Sequence, residues 1–210
     1  MELESPLPSA LASVICPLLP EHIPLMSKTL GRGHAKYFRK HMPLQRSKRG
    51  IVLVALHHDR PVGGLFVLRE PADERIVRQE LPGVPILHQL WVKEDMRRRT
   101  IGTQLLKAAH EQLREFGHSH VALGVDVHNK DAIRLYERLG YERLEGRRWG
   151  QRMVAGRSFR EQPERPTAYE LMVLDLQNND RTRFWGPPTS WRNSQPVRAA
   201  FSARITQPAQ

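Results

Sequence analysis

Apolar residues recur along this chain with two periods, and the switches between them divide it into elements. Residues 11–19, closed by Pro17 and Pro20, predict a first strand, and 21–30 and 33–42 predict two short helices parted by Gly31-Arg32-Gly33. Ile51 to His57 and Val62 to Arg69 are near-continuous apolar runs around Asp59-Arg60-Pro61, which predicts a β-hairpin. A charged link over 70–83 leads to a strand at Ile86 to Val92. Beyond a basic loop, Ile101, Leu105, Ala109, Leu113 and Phe116 fall near helical spacing, so a helix with one buried face starts near Ile101 and ends at Gly117. His120 to Val127 predicts a strand. Asn129 caps a short helix through Leu139 that Gly140 stops. Tyr141 to Leu144 begins another strand, and Tyr169 to Leu176 forms the last. Alternating strands and helices, with strand-rich ends, predict an α/β (α+β) sheet covered by helices.

Composition narrows the setting. The 210 residues are 40% hydrophobic and 26% charged, which excludes collagen-like and wholly disordered chains. No apolar run is long enough to span a bilayer, and Glu2 and Glu4 stand where a signal peptide carries basic residues, so no membrane association is expected. The single cysteine, Cys16, excludes an internal disulfide framework and a cysteine-based zinc site. A reducing cytoplasmic location follows as the expectation. The histidines, His57-His58 and His118/His120 among them, show no metal-ligand spacing, so no metal is expected.

The net charge of +11 gives the chain an affinity for anions. It is dispersed, which does not favour nucleic acid as a partner. Residues 177–210 carry five arginines against Asp180, with several prolines and no periodic apolar face. They predict a basic, disordered tail behind a domain of residues 1–176. In that tail Phe184, Trp185 and Trp191 lie among Arg181, Arg183 and Arg192, a mixture able to stack bases or to dock on protein.

The candidate chemistry begins where the strand Leu90-Trp91-Val92 runs through Lys93 to Met96 into Arg97-Arg98-Arg99-Thr100-Ile101-Gly102-Thr103. A helix start presents unpaired N–H groups and partial positive charge, which bind phosphate. Three arginines add charge there, and Gly102 lets backbone approach a ligand.

This stretch resembles the acetyl-CoA-binding motif of the GNAT superfamily of N-acetyltransferases, Gln/Arg-x-x-Gly-x-Gly/Ala. Arg97 takes its first place and Gly102 its last, while Thr100 stands where the first glycine is usual. Asn129 to Tyr141 is similar to a second signature, Asn-x-x-Ala-x-x-Leu-Tyr-x-x-x-Gly-Phe/Tyr, with every named position matched. The resemblance is specific over about 84–145 and looser over 11–176.

The resemblance implies a mixed, twisted sheet of six to seven strands, flanked by helices, whose fourth and fifth strands splay apart around acetyl-CoA. It implies that the backbone of Leu90, Trp91 and Val92 holds the pantetheine arm and that Arg97 to Thr103 holds the pyrophosphate. Asn129, Ala132 and Tyr136 then line the cofactor. Tyr136 is the candidate acid for the leaving thiolate, and the Val92 N–H the candidate donor to the oxyanion. Many relatives carry a glutamate at the place of His88, which makes this histidine the candidate base. The acceptor is an amine, and helices 21–42 with the arginine-rich segment 145–168 (Arg147, Arg148, Arg152, Arg157, Arg160, Arg165) are expected to contact it. Dimers are common in similar proteins, so a homodimer is compatible with the resemblance. Two alternatives stay open here: an acceptor amine carried by nucleic acid, such as aminoacyl-tRNA, and a non-catalytic acyl-CoA-binding module.

Overall fold

The computed structural model describes residues 13–70, 81–149 and 169–178. The expected tail beyond Asn178, and the arginines at 152, 157, 160 and 165, lie outside the described residues. Within them the order is β1 (Val14–Pro17), α1 (His22–Thr29), α2 (Arg32–Arg46), β2 (Gly50–His57), β3 (Arg60–Leu68), β4 (Ile86–Val92), a 3-10 turn (Glu94–Met96), α3 (Ile101–Glu115), β5 (His120–Asp126), α4 (Lys130–Arg138), β6 (Glu142–Trp149) and β7 (Tyr169–Asp175). One seven-stranded sheet runs β1-β2-β3-β4-β5-β7-β6. All neighbours are antiparallel except β4 and β5. The expected fold class is therefore what the chain adopts, including seven strands and flanking helices.

Burial on both faces explains the long apolar strands. On β2, Ile51 and Leu53 pack with Ile101, Leu105 and Leu106 of α3. Their neighbours Val52 and Val54 pack with Met26 of α1 and Phe38 of α2. A strand covered by helices on both sides needs apolar residues at successive positions. Gly64 on β3 lets α2 settle: a Cβ there would lie 2.6 Å from Phe38 Cζ.

The first strand, expected over 11–19, is shorter, Val14–Pro17, and two further differences have a local cause. The hairpin closes on His58-Asp59, with φ of 48° and 59°, so β3 starts at Arg60 and contains Pro61. Positive φ at both central residues matches the twist of the strands, and Asp tolerates it. Helix α2 continues past 42 with Pro43 inside it; Ser47 N–H still donates to Pro43 O at 3.0 Å. Proline costs that helix a bond near its end, where the loss interrupts least.

Candidate active site

The site is built where β4 leaves β5. Phe66 pairs with Gln89 and Val67 with Leu87, so His88 is an extra residue on β4. Such a bulge bends its strand and sharpens its twist. Pairing between β4 and β5 is confined to Ile86↔Ala122 and Leu87↔Leu123, and it stops at the bulge. The expected splay thus has a local cause, one inserted residue.

The splay leaves main-chain groups facing the gap. Lys93 N–H donates to Val62 O at 2.8 Å, towards β3. Successive residues of a strand point their N–H groups to opposite sides, so the N–H groups of Val92 and Leu90 point away from β3, towards the gap. Trp91 packs with the α2 side of the sheet, while Leu90 and Val92 pack with the α3 side. Arg97 Nε donates to Val92 O at 3.3 Å, which draws this guanidinium to the same end of β4.

Helix α3 starts directly beyond. Thr100 has φ 63° and ψ −1°, the left-handed conformation, and Arg98 has φ 60°. That geometry explains why the motif prefers glycine at Thr100, since a β-branched side chain is strained there. Thr100 O accepts the Gln104 N–H at 2.9 Å, and Gln104 Nε2 donates to Thr100 Oγ1 at 3.1 Å, so this helix end is internally tied. At Gly102 a Cβ would lie 3.5 Å from Leu135 of α4 and 3.8 Å from Val92. Gly102 therefore sits where α3, α4 and the end of β4 converge. Arg97, Arg98 and Arg99 lead into this helix start and are exposed, and Ile101 is buried. Exposed N–H groups, a helix start and arginines form a donor set that fits a polyphosphate cofactor with an amide-bearing arm.

Across the gap stands α4. Asn129 Oδ1 accepts the Ala132 N–H at 3.1 Å, the cap expected of it. Ala132 and Leu135 are partly buried against the core. Tyr136 is 7% exposed, and burial pushes its hydroxyl up to about 12. Its ring meets that of Tyr141 edge-on at 5.5 Å.

On the opposite face of β4, the bulged His88 stacks on Phe66 at 5.7 Å and 24°. Pattern reading missed what surrounds it. His41 lies 4.2 Å from Phe66, and His34 lies 4.2 Å from Trp91, ring centre to ring centre. Burial holds both imidazoles below the usual histidine range, so they are neutral bases at pH 7. Positions 34, 37, 38 and 41 share one face of α2 by helical spacing, a signal that was available. A separate cavity of about 630 Å³ lies at the β2–β3 turn, rimmed by Lys28, His57, Arg60 and Lys93. Among the described residues, no group of His, Cys, Asp and Glu side chains is placed to hold a metal ion, and no helix is long and apolar enough to cross a membrane.

Known proteins share this frame. Over 68 residues the chain is 43% identical to the uncharacterized N-acetyltransferase MJ1207 of Methanocaldococcus jannaschii, a match covering 32% of this chain and 30% of that protein. The fold is that of the Escherichia coli ribosomal-protein-S18-alanine N-acetyltransferase, with a TM-score of 0.56 at 18% identity over 79% of this chain and 94% of that one. It is equally that of yncA from Salmonella typhimurium, whose structure holds acetyl-CoA, with a TM-score of 0.56 at 15% identity over 79% and 94% of the two chains. Residues 20–141 match the model of the acetyltransferase (GNAT) family, and the chain belongs to that family.

Proposed function

We propose that this chain moves the acetyl group of acetyl-CoA to a primary amine by direct attack while both are bound. The observation that carries this reading is the break in β4–β5 pairing at Leu87, which aims strand N–H groups at a gap ending on a helix start. Bound acetyl-CoA supplies the acetyl group as a thioester. The main chain at Leu90 and Val92 holds its arm, with Trp91 between them turned to β3, and Arg97, Arg98 and Arg99, with the first-turn N–H groups of Ile101 to Thr103, hold its phosphates. Asn129 fixes the start of α4 and so sets Ala132 and Tyr136 against the cofactor.

In transfer, the amine nitrogen bonds to the carbonyl carbon, and the carbon–sulfur bond breaks. Val92 N–H donates to the carbonyl oxygen as negative charge grows on it. His88 takes the amine proton. Tyr136 O–H would stabilise the leaving sulfur. A phenol near 12 stays protonated throughout the neutral range. Burial holds that proton more tightly than on an ordinary phenol. Tyr136 therefore stabilises the thiolate chiefly by donating a hydrogen bond, and any proton it gives up is replaced from water.

The acceptor is an amine outside nucleic acid, in keeping with the dispersed charge. The same proposal takes residues 1–176 as the catalytic domain, since Leu176 is fully buried just past β7, with 177–210 as a dispensable appendage of a cytoplasmic enzyme. Thiol release measured over a panel of small amines, peptides with free amino termini and aminoacyl-tRNA tests it. Acetylated product from one free-amine class supports the reading. Acetyl-CoA binding with no amine-dependent thiol release across the panel would overturn it. A steep salt dependence with aminoacyl-tRNA alone would transfer the acceptor to nucleic acid.

A further inference from the structure

The core under α3 holds a buried polar pair. His110 on α3 is fully buried, and Tyr141, just before β6, is 2% exposed. His110 Nε2 and the Tyr141 hydroxyl are 2.9 Å apart. The imidazole is neutral: burial lowers its pKa to about 3, and Arg114 and Lys107 on the same helix push the same way. Its other nitrogen, Nδ1, has no hydrogen-bond partner among the described residues. Each neutral tautomer leaves one donor of the pair bare, Nδ1–H or the phenol O–H, so the 2.9 Å bond ties the two rings together whichever of them donates.

Folding does not demand this pair. Two apolar residues of the same shapes would fill the space without desolvating an imidazole and a phenol. The position of Tyr141 supplies a different reason. Its N–H donates to Tyr136 O at 3.0 Å, across Gly140. Its ring meets the Tyr136 ring edge-on at 5.5 Å, with 60° between the planes. Tyr141 is thus both backbone partner and ring support of the residue assigned to the leaving sulfur.

The geometry points to His110 as a positioning residue for acetyl transfer: by anchoring the hydroxyl of Tyr141, it fixes the ring that sets the orientation of Tyr136. This inference rests on the proposed role of Tyr136. Without the anchor the Tyr141 ring keeps its place in the core but loses its single orientation, and the Tyr136 hydroxyl loses alignment. The substrate-binding groups on β4 and α3 are untouched.

The test compares His110→Leu/Tyr141→Phe, His110→Gln and Tyr136→Phe in the full chain. The readouts are the unfolding midpoint, KM for acetyl-CoA, kcat at saturating substrates, and tyrosine-ring carbon resonances. The chain has four tyrosines, so the spectrum is assignable by single replacement. The double variant removes both partners, and we expect an unchanged midpoint and KM, a kcat lower by about tenfold, and a displaced or broadened Tyr136 resonance. His110→Gln keeps an amide able to donate to, or accept from, the Tyr141 hydroxyl and recovers most of the rate. A stably folded double variant with wild-type kcat and an undisturbed Tyr136 resonance overturns the inference. If Tyr136→Phe itself turns over at the wild-type rate, the assignment of Tyr136 fails separately, and the Tyr136 resonance alone decides whether His110 positions it. Should the double variant not fold, Tyr141→Phe carries the same two readouts with the same criteria.

Discussion

The two helical faces of the sheet are made of different material. Under α3 and α4 the working parts are main-chain: N–H groups freed by the splay, a left-handed Thr100, a helix start at Ile101 and an Asn129 cap. Under α1 and α2 they are side chains, with half-buried His34, His41, His88 and Trp91 around Phe66. Backbone geometry restricts residue type at fixed spacings, because only a few residues accept a given φ or cap a given helix. A wall of rings obeys no such rule, since several side chains fill the same place. The first face is therefore the one that residue types at fixed spacings restrict, and the second is free to vary.

The comparison breaks most sharply at Tyr136, the side chain that the proposed mechanism places on the first face. Tyr136→Phe keeps the ring in its contact with Tyr141 and removes only the hydroxyl. Loss of a general acid costs roughly 10²–10⁴-fold in rate. A phenol held near 12 works mostly as a donor, so about 10²-fold is expected here. Acetyl-CoA affinity should stay within a few-fold. Steady-state turnover at saturating acetyl-CoA checks this, and wild-type turnover with chemistry rate-limiting would return Tyr136 to a packing role.

Gly102 probes the phosphate end of the same face. A Cβ there makes ordinary contacts with Leu135 and Val92, so Gly102→Ala should fold normally. Gly102→Asp adds a negative charge among the arginines and at a helix start, and acetyl-CoA affinity should fall by about tenfold or more. The carboxylate also presses on Leu135, so calorimetry must be read beside a melting curve. An Asp variant that folds and binds as the wild type removes this turn from the cofactor site.

How far each face could be read from the residues follows from the same contrast. The strand–loop–helix step at 92–103, the Asn129 cap and the Gly140 stop were legible, since each rests on residue types with one mechanical use. The bulge at His88 was not, because nothing in Leu87-His88-Gln89 distinguishes an inserted residue from a paired one. The splay was expected only through the family resemblance. The turn at His58-Asp59 escaped because it reaches positive φ without glycine. His34 and His41 escaped because their shared helix face matters only once Phe66 and Trp91 are known to lie opposite.

Acid stability tests the buried polar pair inside the first face. His110 binds its proton at about 6.5 when unfolded but near 3 in the fold. The unfolded state therefore carries the extra proton as pH falls. Stability from this group is complete above about pH 6.5 and declines by up to ~1.4 kcal/mol per pH unit below it, until pH nears 3. His22, His34, His41 and His118 are also held low and add to the same slope. Chemical denaturation of His110→Gln between pH 6.5 and 4.5 should show a shallower slope than wild type. Identical slopes would mean that His110 is protonated in the fold after all.

The smallest expected effect lies at Thr100, where the chain departs from its family. A non-glycine residue in the left-handed region costs about 1–2 kcal/mol. Thr100→Gly removes that cost, but it loosens the unfolded chain and deletes the hydroxyl that accepts from Gln104 at 3.1 Å. The Gln104 amide is exposed and turns to water at little cost. The balance favours the variant by about 0.5–1 kcal/mol, seen as a higher unfolding midpoint. Acetyl-CoA binding should not weaken, because Thr100 O still accepts the Gln104 N–H and the helix start is kept. If Thr100→Gly lowers both midpoint and affinity, the threonine hydroxyl is ordering the phosphate turn, and the first face would depend on a side chain where its relatives use bare backbone.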